Sequence, residues 1–421
     1  MSKRFLALSG LVLVIPVLTL ALLRMRGETP AAQEPDPLPE AVANLQRKID
    51  NGSAKLEFEE PQGYLVSLLK NLDIPVSSQA LAFSKSSAQL FLISPETPRA
   101  VYFNDDVYVG YVQGAPHMEV ASVAPVTGPV FYTLDQVASD KPQFTLQPTD
   151  CFACHDTFES DKPVSRLLIL SVQSDPTGVA LNRAAVVTND KSPFAERWGG
   201  WYVTGTHGNM RHMGNRFVRE PADSLPSIPE YSRRADLSNG ANITDLSARF
   251  DTKPYLTAQS DIVALMVLGH QTHIHNLITV ASTNLRSDPQ EGEVKEETER
   301  LVDAMLFSEA APLTAAVTGT TKFASEFSAR GPRDSQGRSL YQLDLNTRLL
   351  RYPLSYLVYS KAFEALPQTA KDYAYERFWE VLSGKDSTPA FAHLSQADRK
   401  ATLEILRETK PDFAAFIKRL E

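Results

Sequence analysis

Short runs in which apolar and polar residues alternate fill the region between residues 100 and 134. They are rich in aromatic and β-branched side chains and are separated by turn residues, which predicts short antiparallel strands. The predicted strands are AVYF (100–103), DVYVGYV (106–112), MEVASVA (118–124) and GPVFYTL (128–134). A helical spacing in YLVSLLKNLDI (64–74) precedes them, and two further strands are predicted at 165–173 and 179–188.

The apolar positions take on helical spacing in the second half of the chain. The stretch SDIVALMVLGHQTHIHNLITVAS (260–282) predicts a long buried helix with Ser260 or Asp261 as its N-cap. Further helices are predicted at 292–309, 353–366, 369–384 and 395–410. The expected fold class is therefore α+β, with a β-rich first half and a mainly α-helical C-terminal half.

An apolar run from Phe5 to Leu23, flanked by basic residues on both sides, opens the chain. It is long enough to cross the roughly 30 Å hydrocarbon layer of a membrane, and it exceeds the about 7–15 apolar residues of a cleaved signal. We interpret residues 1–26 as a signal anchor, with a cleaved signal peptide as the alternative. A Pro-rich linker (27–50), an α+β region (51–240) and a mainly helical region (241–421) are expected to follow.

Net charge and motif content narrow the possible functions. The formal net charge is −8 and no cluster of Lys and Arg is present, which argues against nucleic acid as a partner. The sequence contains neither a Gly-rich phosphate loop nor a Gly-x-Ser-x-Gly motif, so it lacks the common nucleotide-binding and hydrolase signatures.

The only two cysteines, Cys151 and Cys154, are followed directly by His155 in TDCFACHDTF (149–158). A Cys-x-x-Cys pair is typical of a redox dithiol, of half a zinc site or of a haem attachment site. Zinc needs further ligands, commonly a second cysteine pair, and a redox dithiol belongs to a parallel α/β pattern that is not predicted here. His155 favours haem, because the two thiols add to the vinyl groups and the adjacent imidazole binds the iron. A reduced pair or a small disulfide loop is the alternative.

The Cys-x-x-Cys-His stretch resembles the attachment signature of the c-type cytochromes, and the wider sequence is similar to large exported single-haem proteins of bacteria. The resemblance implies one covalent haem c, with Cys151 and Cys154 as attachment residues and His155 as the proximal iron ligand. The small class I fold is not expected, because a strand-rich region precedes the motif. A redox partner in the periplasm or membrane is expected, with the chain anchored through residues 5–23 on the periplasmic side of the cytoplasmic membrane.

Two clusters of histidine and methionine supply candidates for the second axial ligand, and they contain five of the eight histidines. One is the glycine-rich stretch GTHGNMRHMGN (205–215), whose backbone can approach a flat cofactor closely. The other is the predicted helix 260–282, where His270 and His273 share a face. The candidates are His207, His212, Met210, Met213 and His270. We favour a histidine of the glycine-rich stretch, and a second metal bound by both clusters is the minority alternative.

The identity of the sixth ligand decides the expected function. A His or Met ligand closes the iron for electron transfer, which is the leading hypothesis. An open distal face would instead suit a haem-dependent oxidoreductase, for example a peroxidase-like enzyme. A haem-based sensor or structural module is the third possibility, and the sequence singles out no catalytic residues.

Overall fold

A computed structural model describes residues 40–147, 151–157, 164–181 and 185–420, which belong to one compact unit. The predicted signal anchor or signal peptide (1–26) and residues 27–39 of the predicted linker lie outside the described residues. Within the described ranges, no helix is both long enough and apolar enough to cross a membrane.

The strands of the described chain are β1 (Ala80–Ala82), β2 (Arg99–Phe103), β3 (Val107–Tyr111), β4 (His117–Ala124), β5 (Gly128–Asp135), β6 (Phe144–Leu146), β7 (Asp156–Thr157), β8 (Val164–Ser165), β9 (Leu170–Ser171), β10 (Val186–Val187) and β11 (Trp201–Tyr202). Seven of them form one antiparallel sheet, in the order β11-β1-β2-β3-β4-β5-β6. The four strands predicted between residues 100 and 134 are confirmed as β2 to β5. In the described residues of the two strands predicted at 165–173 and 179–188, the pairing is limited to the two-residue strands β9 and β10. Residues 182–184 lie outside the described residues.

The second half is mainly helical, and the α+β class is confirmed. The helices are α1 (Glu40–Asp50), α2 (Leu65–Asn71), α3 (Phe152–His155), α4 (Ile228–Arg234), α5 (Ile262–Asn284), α6 (Glu291–Met305), α7 (Phe323–Ser328), α8 (Lys361–Glu364), α9 (Gln368–Leu382), α10 (Gln396–Thr409) and α11 (Pro411–Ile417). Helix α1 lies inside the predicted linker 27–50, and its Val42, Leu45 and Ile49 are buried. Residues 40–50 therefore belong to the folded part of the chain.

Both faces of the sheet are covered by core. Because side chains alternate across a strand, Val101 and Phe103 face one core while Ala100 and Tyr102 face the other. The first core contains most of α5, which is apolar on nearly all sides, as expected for a central helix.

Helix α5 begins at a capped position and lies close to the sheet. Asp261 accepts hydrogen bonds from the N–H groups of Val263 (2.8 Å) and Ala264 (3.3 Å), which satisfies the first turn. At the start of β5, Gly128 has a φ of +76°, and a Cβ there would lie 2.3 Å from the side chain of Thr279. Only glycine permits this approach, which sets α5 against β5.

Candidate functional site

Cys154 and His155 lie on the short helix α3, and Cys151 directly precedes it in the same turn. The N–H groups of Cys154 and His155 both donate to the carbonyl of Cys151, at 3.2 and 3.1 Å. Cys151 is half-buried and Cys154 is exposed. Two thiols and one imidazole therefore come from the same turn, which is the arrangement that covalent haem attachment requires.

The main chain of Arg166 holds His155 by two hydrogen bonds. The N–H of Arg166 donates to the carbonyl of His155 at 2.7 Å, and the Arg166 carbonyl lies 2.8 Å from His155 Nδ1. A carbonyl only accepts, so Nδ1 carries the proton and Nε2 keeps the lone pair that a metal needs. Burial lowers the pKa of His155, more than the bond to Arg166 raises it, and the imidazole is neutral at pH 7.

The segment after the motif is fixed to the sheet and to α5. Strand β7 pairs with β8, and the hydroxyl of Ser165 donates to the carbonyl of Pro129 at 2.7 Å. The ring of Phe131 on β5 lies 4.6 Å from the ring of His155, measured between centroids. Strand β5 thus contacts the attachment turn through Phe131 and the segment after it through Pro129.

The two histidines of the glycine-rich stretch contact each other. The rings of His207 and His212 are 4.8 Å apart, and 0% and 1% of these residues is exposed. The N–H of Asn242 donates to His207 Nε2 at 3.1 Å. Burial, followed by the neighbouring charges of His207 and Arg211, lowers the pKa of His212 to about 3.

The methionines of this stretch are also buried, in separate apolar clusters. Met210 belongs to the cluster around α5, and Met213 packs with Val218 and Ile228. Among the contacts of the described residues, none joins His207, His212, Met210 or Met213 to His155. The structure therefore brings the two loop histidines to each other and not to the attachment turn.

Two of the three histidines on α5, His270 and His273, share one buried carboxylate. Asp190 Oδ1 lies 2.8 Å from Nδ1 of His273, and Oδ2 lies 3.3 Å from Nδ1 of His270. Burial alone raises the pKa of Asp190, but the hydrogen bonds from both imidazoles hold it well below its usual range. Asp190 is therefore ionised and accepts from both rings, so each Nδ1 carries a proton.

Both nitrogens of His270 are occupied by protein. Its Nε2 lies 2.9 Å from the hydroxyl of Ser355, and its ring stacks on Phe307 at 4.6 Å. Hydrogen bonds connect the Asp190 carboxylate to the His270 imidazole and this imidazole to the Ser355 hydroxyl, as in a hydrolytic triad. Ser355, however, is 0% exposed. Its Oγ also accepts from the N–H of Leu357 at 3.4 Å, as a helix cap. A hydroxyl that no substrate can reach is not a nucleophile, and this chain of bonds is structural.

A cavity of about 500 Å³ lies beside the attachment turn. Residues 164–166, which pair with the chain directly after His155, form one wall, and α5 forms another through His273, Asn276 and Leu277. Arg300 and Asp303 of α6 also line it. Arg166, whose main chain is bonded to His155, and His273 of α5 both line this cavity, a proximity that no local sequence pattern revealed.

No group of three or more His, Cys, Asp or Glu side chains in the described ranges is arranged to hold a metal ion. The two loop histidines contact each other, and His270 and His273 share Asp190, so the described residues of the two clusters are not brought together around one metal position.

The chain matches no protein-family model, no curated protein and no solved structure. Its function is therefore inferred from the chemistry of its own residues.

Proposed function

We propose that this protein is an exported monohaem c-type cytochrome that binds one haem covalently through Cys151 and Cys154 and transfers electrons. The observation that carries the proposal is the 2.8 Å bond between His155 Nδ1 and the Arg166 carbonyl, on a turn that also presents both thiols. This bond leaves Nε2 as the metal-binding nitrogen, so the residues present suit the group. Once bound, haem supplies one-electron redox chemistry.

Each residue of the turn has a distinct role in this function. The thiols of Cys151 and Cys154 would hold the haem through thioether bonds, and His155 would bind its iron. The carbonyl of Arg166 fixes the orientation of the imidazole and makes it a stronger donor, as partners of metal-bound histidines generally do. Phe131 packs against the ring and limits its rotation.

The proposed location is the periplasmic side of the bacterial cytoplasmic membrane, with residues 5–23 as the anchor and a redox protein of the periplasm or membrane as the partner. Export suits the proposed function, since covalent haem attachment takes place in that compartment in bacteria. Mass spectrometry of the N-terminus tests the anchor, because a mature chain that starts near Ala31 replaces it with a cleaved signal peptide.

Covalent attachment is tested on the full chain expressed together with a bacterial haem-attachment system. The denatured protein should keep its colour after extraction with acidified organic solvent, and replacement of both cysteines (Cys151→Ala with Cys154→Ala) should abolish it. His117→Ala, at a half-buried histidine of β4, is the control and should keep the wild-type colour. Colour that extracts from the wild type, or a wild type without haem, would overturn the proposal.

Electron transfer requires more than attachment. The iron of the purified protein should titrate as a reversible one-electron couple and return to its starting spectrum after reoxidation. A spectrum that changes irreversibly during the cycle would argue against a carrier.

A further inference from the structure

The cavity beside the attachment turn has the mixed lining that a haem requires. Its apolar part includes Val164, Val187, Leu277 and Val280, and its polar part includes Arg166. A porphyrin ring is flat and apolar, whereas its two propionates are anionic. The lining therefore matches both halves of the cofactor.

Arg166 provides the positive charge for a propionate. Its Nε is buried and has no hydrogen-bond partner among the residues that the structure describes. A buried donor without an acceptor is costly, and a carboxylate would relieve that cost. One of the two carboxylates that line the cavity is already used, since Glu309 pairs with Lys191. Burial raises the pKa of the other, Asp303, and so disfavours its charge.

His273 lines the same cavity, and only one of its ring nitrogens is bonded to protein among the described residues. Its Nδ1 is held by Asp190 at 2.8 Å, and its Nε2 has no hydrogen-bond partner within the described ranges. The side chain is 14% exposed, unlike that of His270 at 0%. A carboxylate behind Nδ1 is the usual support of a metal-bound imidazole, because it fixes the tautomer and the ring orientation.

We propose that this cavity takes the haem and that His273, held by Asp190, is the second axial ligand of the iron. The inference rests on the covalent haem proposed above and names the residue that completes its coordination. It places the sixth ligand on α5, three residues after the predicted candidate His270, whose two nitrogens are already bonded to Asp190 and Ser355.

The test uses the purified haem-loaded full chain. The wild type should be low-spin in the oxidised state, with the electron paramagnetic resonance signal of two imidazole ligands, and should not bind carbon monoxide when reduced. His273→Ala should lose the low-spin signal, become high-spin and bind carbon monoxide. Added imidazole should restore the low-spin spectrum of this variant. His117→Ala is the matched control and should keep every wild-type feature.

Contrary outcomes separate the two proposals. Haem that stays covalently bound, with a His273→Ala spectrum equal to that of the wild type, would overturn the role of His273 alone. In that case His207→Ala and His212→Ala test the glycine-rich stretch. A wild type that is high-spin, or that has a sulfur-to-iron charge-transfer band, would also refute His273 even if His273→Ala does not fold. Absence of covalent haem would overturn the proposed function itself.

Discussion

Asn276 on α5 binds both main-chain groups of Leu167. Its Oδ1 accepts from the Leu167 N–H at 2.8 Å, and its Nδ2 donates to the Leu167 carbonyl at 2.8 Å. Leu167 follows the residue that orients the His155 imidazole, so this amide connects the attachment turn to the central helix. A side chain 109 residues away thus supplies the two bonds that a neighbouring strand would otherwise provide.

Replacing this amide should destabilise the protein and loosen the turn. Asn276→Ala removes two hydrogen bonds and leaves two main-chain groups without their partner, so we expect a loss of about 1–3 kcal/mol in the free energy of unfolding. Urea denaturation measures the loss. Asn239→Ala, at an exposed position in a short 3₁₀ turn, is the control and should stay within about 0.5 kcal/mol of the wild type. Equal stability of the two variants would show that the two hydrogen bonds between Asn276 and Leu167 do not stabilise the fold.

The close approach of Gly128 to Thr279 gives a second stability prediction. Gly128→Ala combines a strained φ of +76° with a clash at 2.3 Å, whereas Gly114→Ala has a similar φ of +71° and nothing within 4 Å. We expect about 1 kcal/mol for the backbone alone at Gly114, and about 1–3 kcal/mol more at Gly128. The double variant Gly128→Ala with Thr279→Ala should recover part of that excess. A Gly128→Ala variant as stable as Gly114→Ala would contradict the close packing of β5 on α5.

The periodic parts of the fold were predictable from the sequence. Alternating residues located β2 to β5 within one residue at each end. The predicted N-cap, Ser260 or Asp261, located the start of α5, where Asp261 is the cap. Helix α1 was missed because the prolines before it dominated the composition, although Val42, Leu45 and Ile49 have helical spacing. The helix predicted at 353–366 is instead a 3₁₀ turn (Tyr356–Tyr359) followed by α8, because Ser355 and Ser360 each cap a separate turn.

The candidate site was predictable only where its residues are adjacent in sequence. Cys151, Cys154 and His155 follow one another along the chain, and their shared turn was expected. His273 depends on Asp190, which lies 83 residues earlier, and this bond follows from tertiary packing that no local pattern contains. One signal was available: His273 and Asn276 are three residues apart and therefore share a helix face.

His212 predicts how stability depends on pH. Burial lowers its pKa to about 3, so the His212 imidazole stays neutral in the folded protein as the pH falls towards that value. In the unfolded chain the same imidazole takes up a proton near its ordinary pKa of about 6.5. The contribution of the neutral His212 to the free energy of unfolding is fully present above pH ~6.5. It is lost as the pH falls below that value, at about 1.4 kcal/mol per pH unit. Urea denaturation at pH 7.5 and 5.0 should therefore differ by about 2 kcal/mol because of this residue. His212→Gln should remove that difference, and His117→Gln should keep it. An unchanged pH dependence in His212→Gln would contradict the burial of a neutral imidazole.

The carboxylate of Asp190 orients the imidazoles of His270 and His273 on α5. Asp190→Asn keeps the shape of the side chain but offers one acceptor to two Nδ1–H groups, so one buried donor loses its partner. We expect a loss of about 1–3 kcal/mol in the free energy of unfolding at pH 7.

Because hydrogen bonds hold the pKa of Asp190 below its usual range, its contribution to stability is fully present above the ordinary carboxyl pKa. It is lost only as the pH falls through the lower, folded value. Asp303→Asn, at a carboxylate that lines the same cavity as His273, is the matched control. Burial raises the pKa of Asp303, so the neutral amide there should be tolerated or slightly stabilising. If urea denaturation gives both variants the same stability, Asp190 does not hold the two imidazoles.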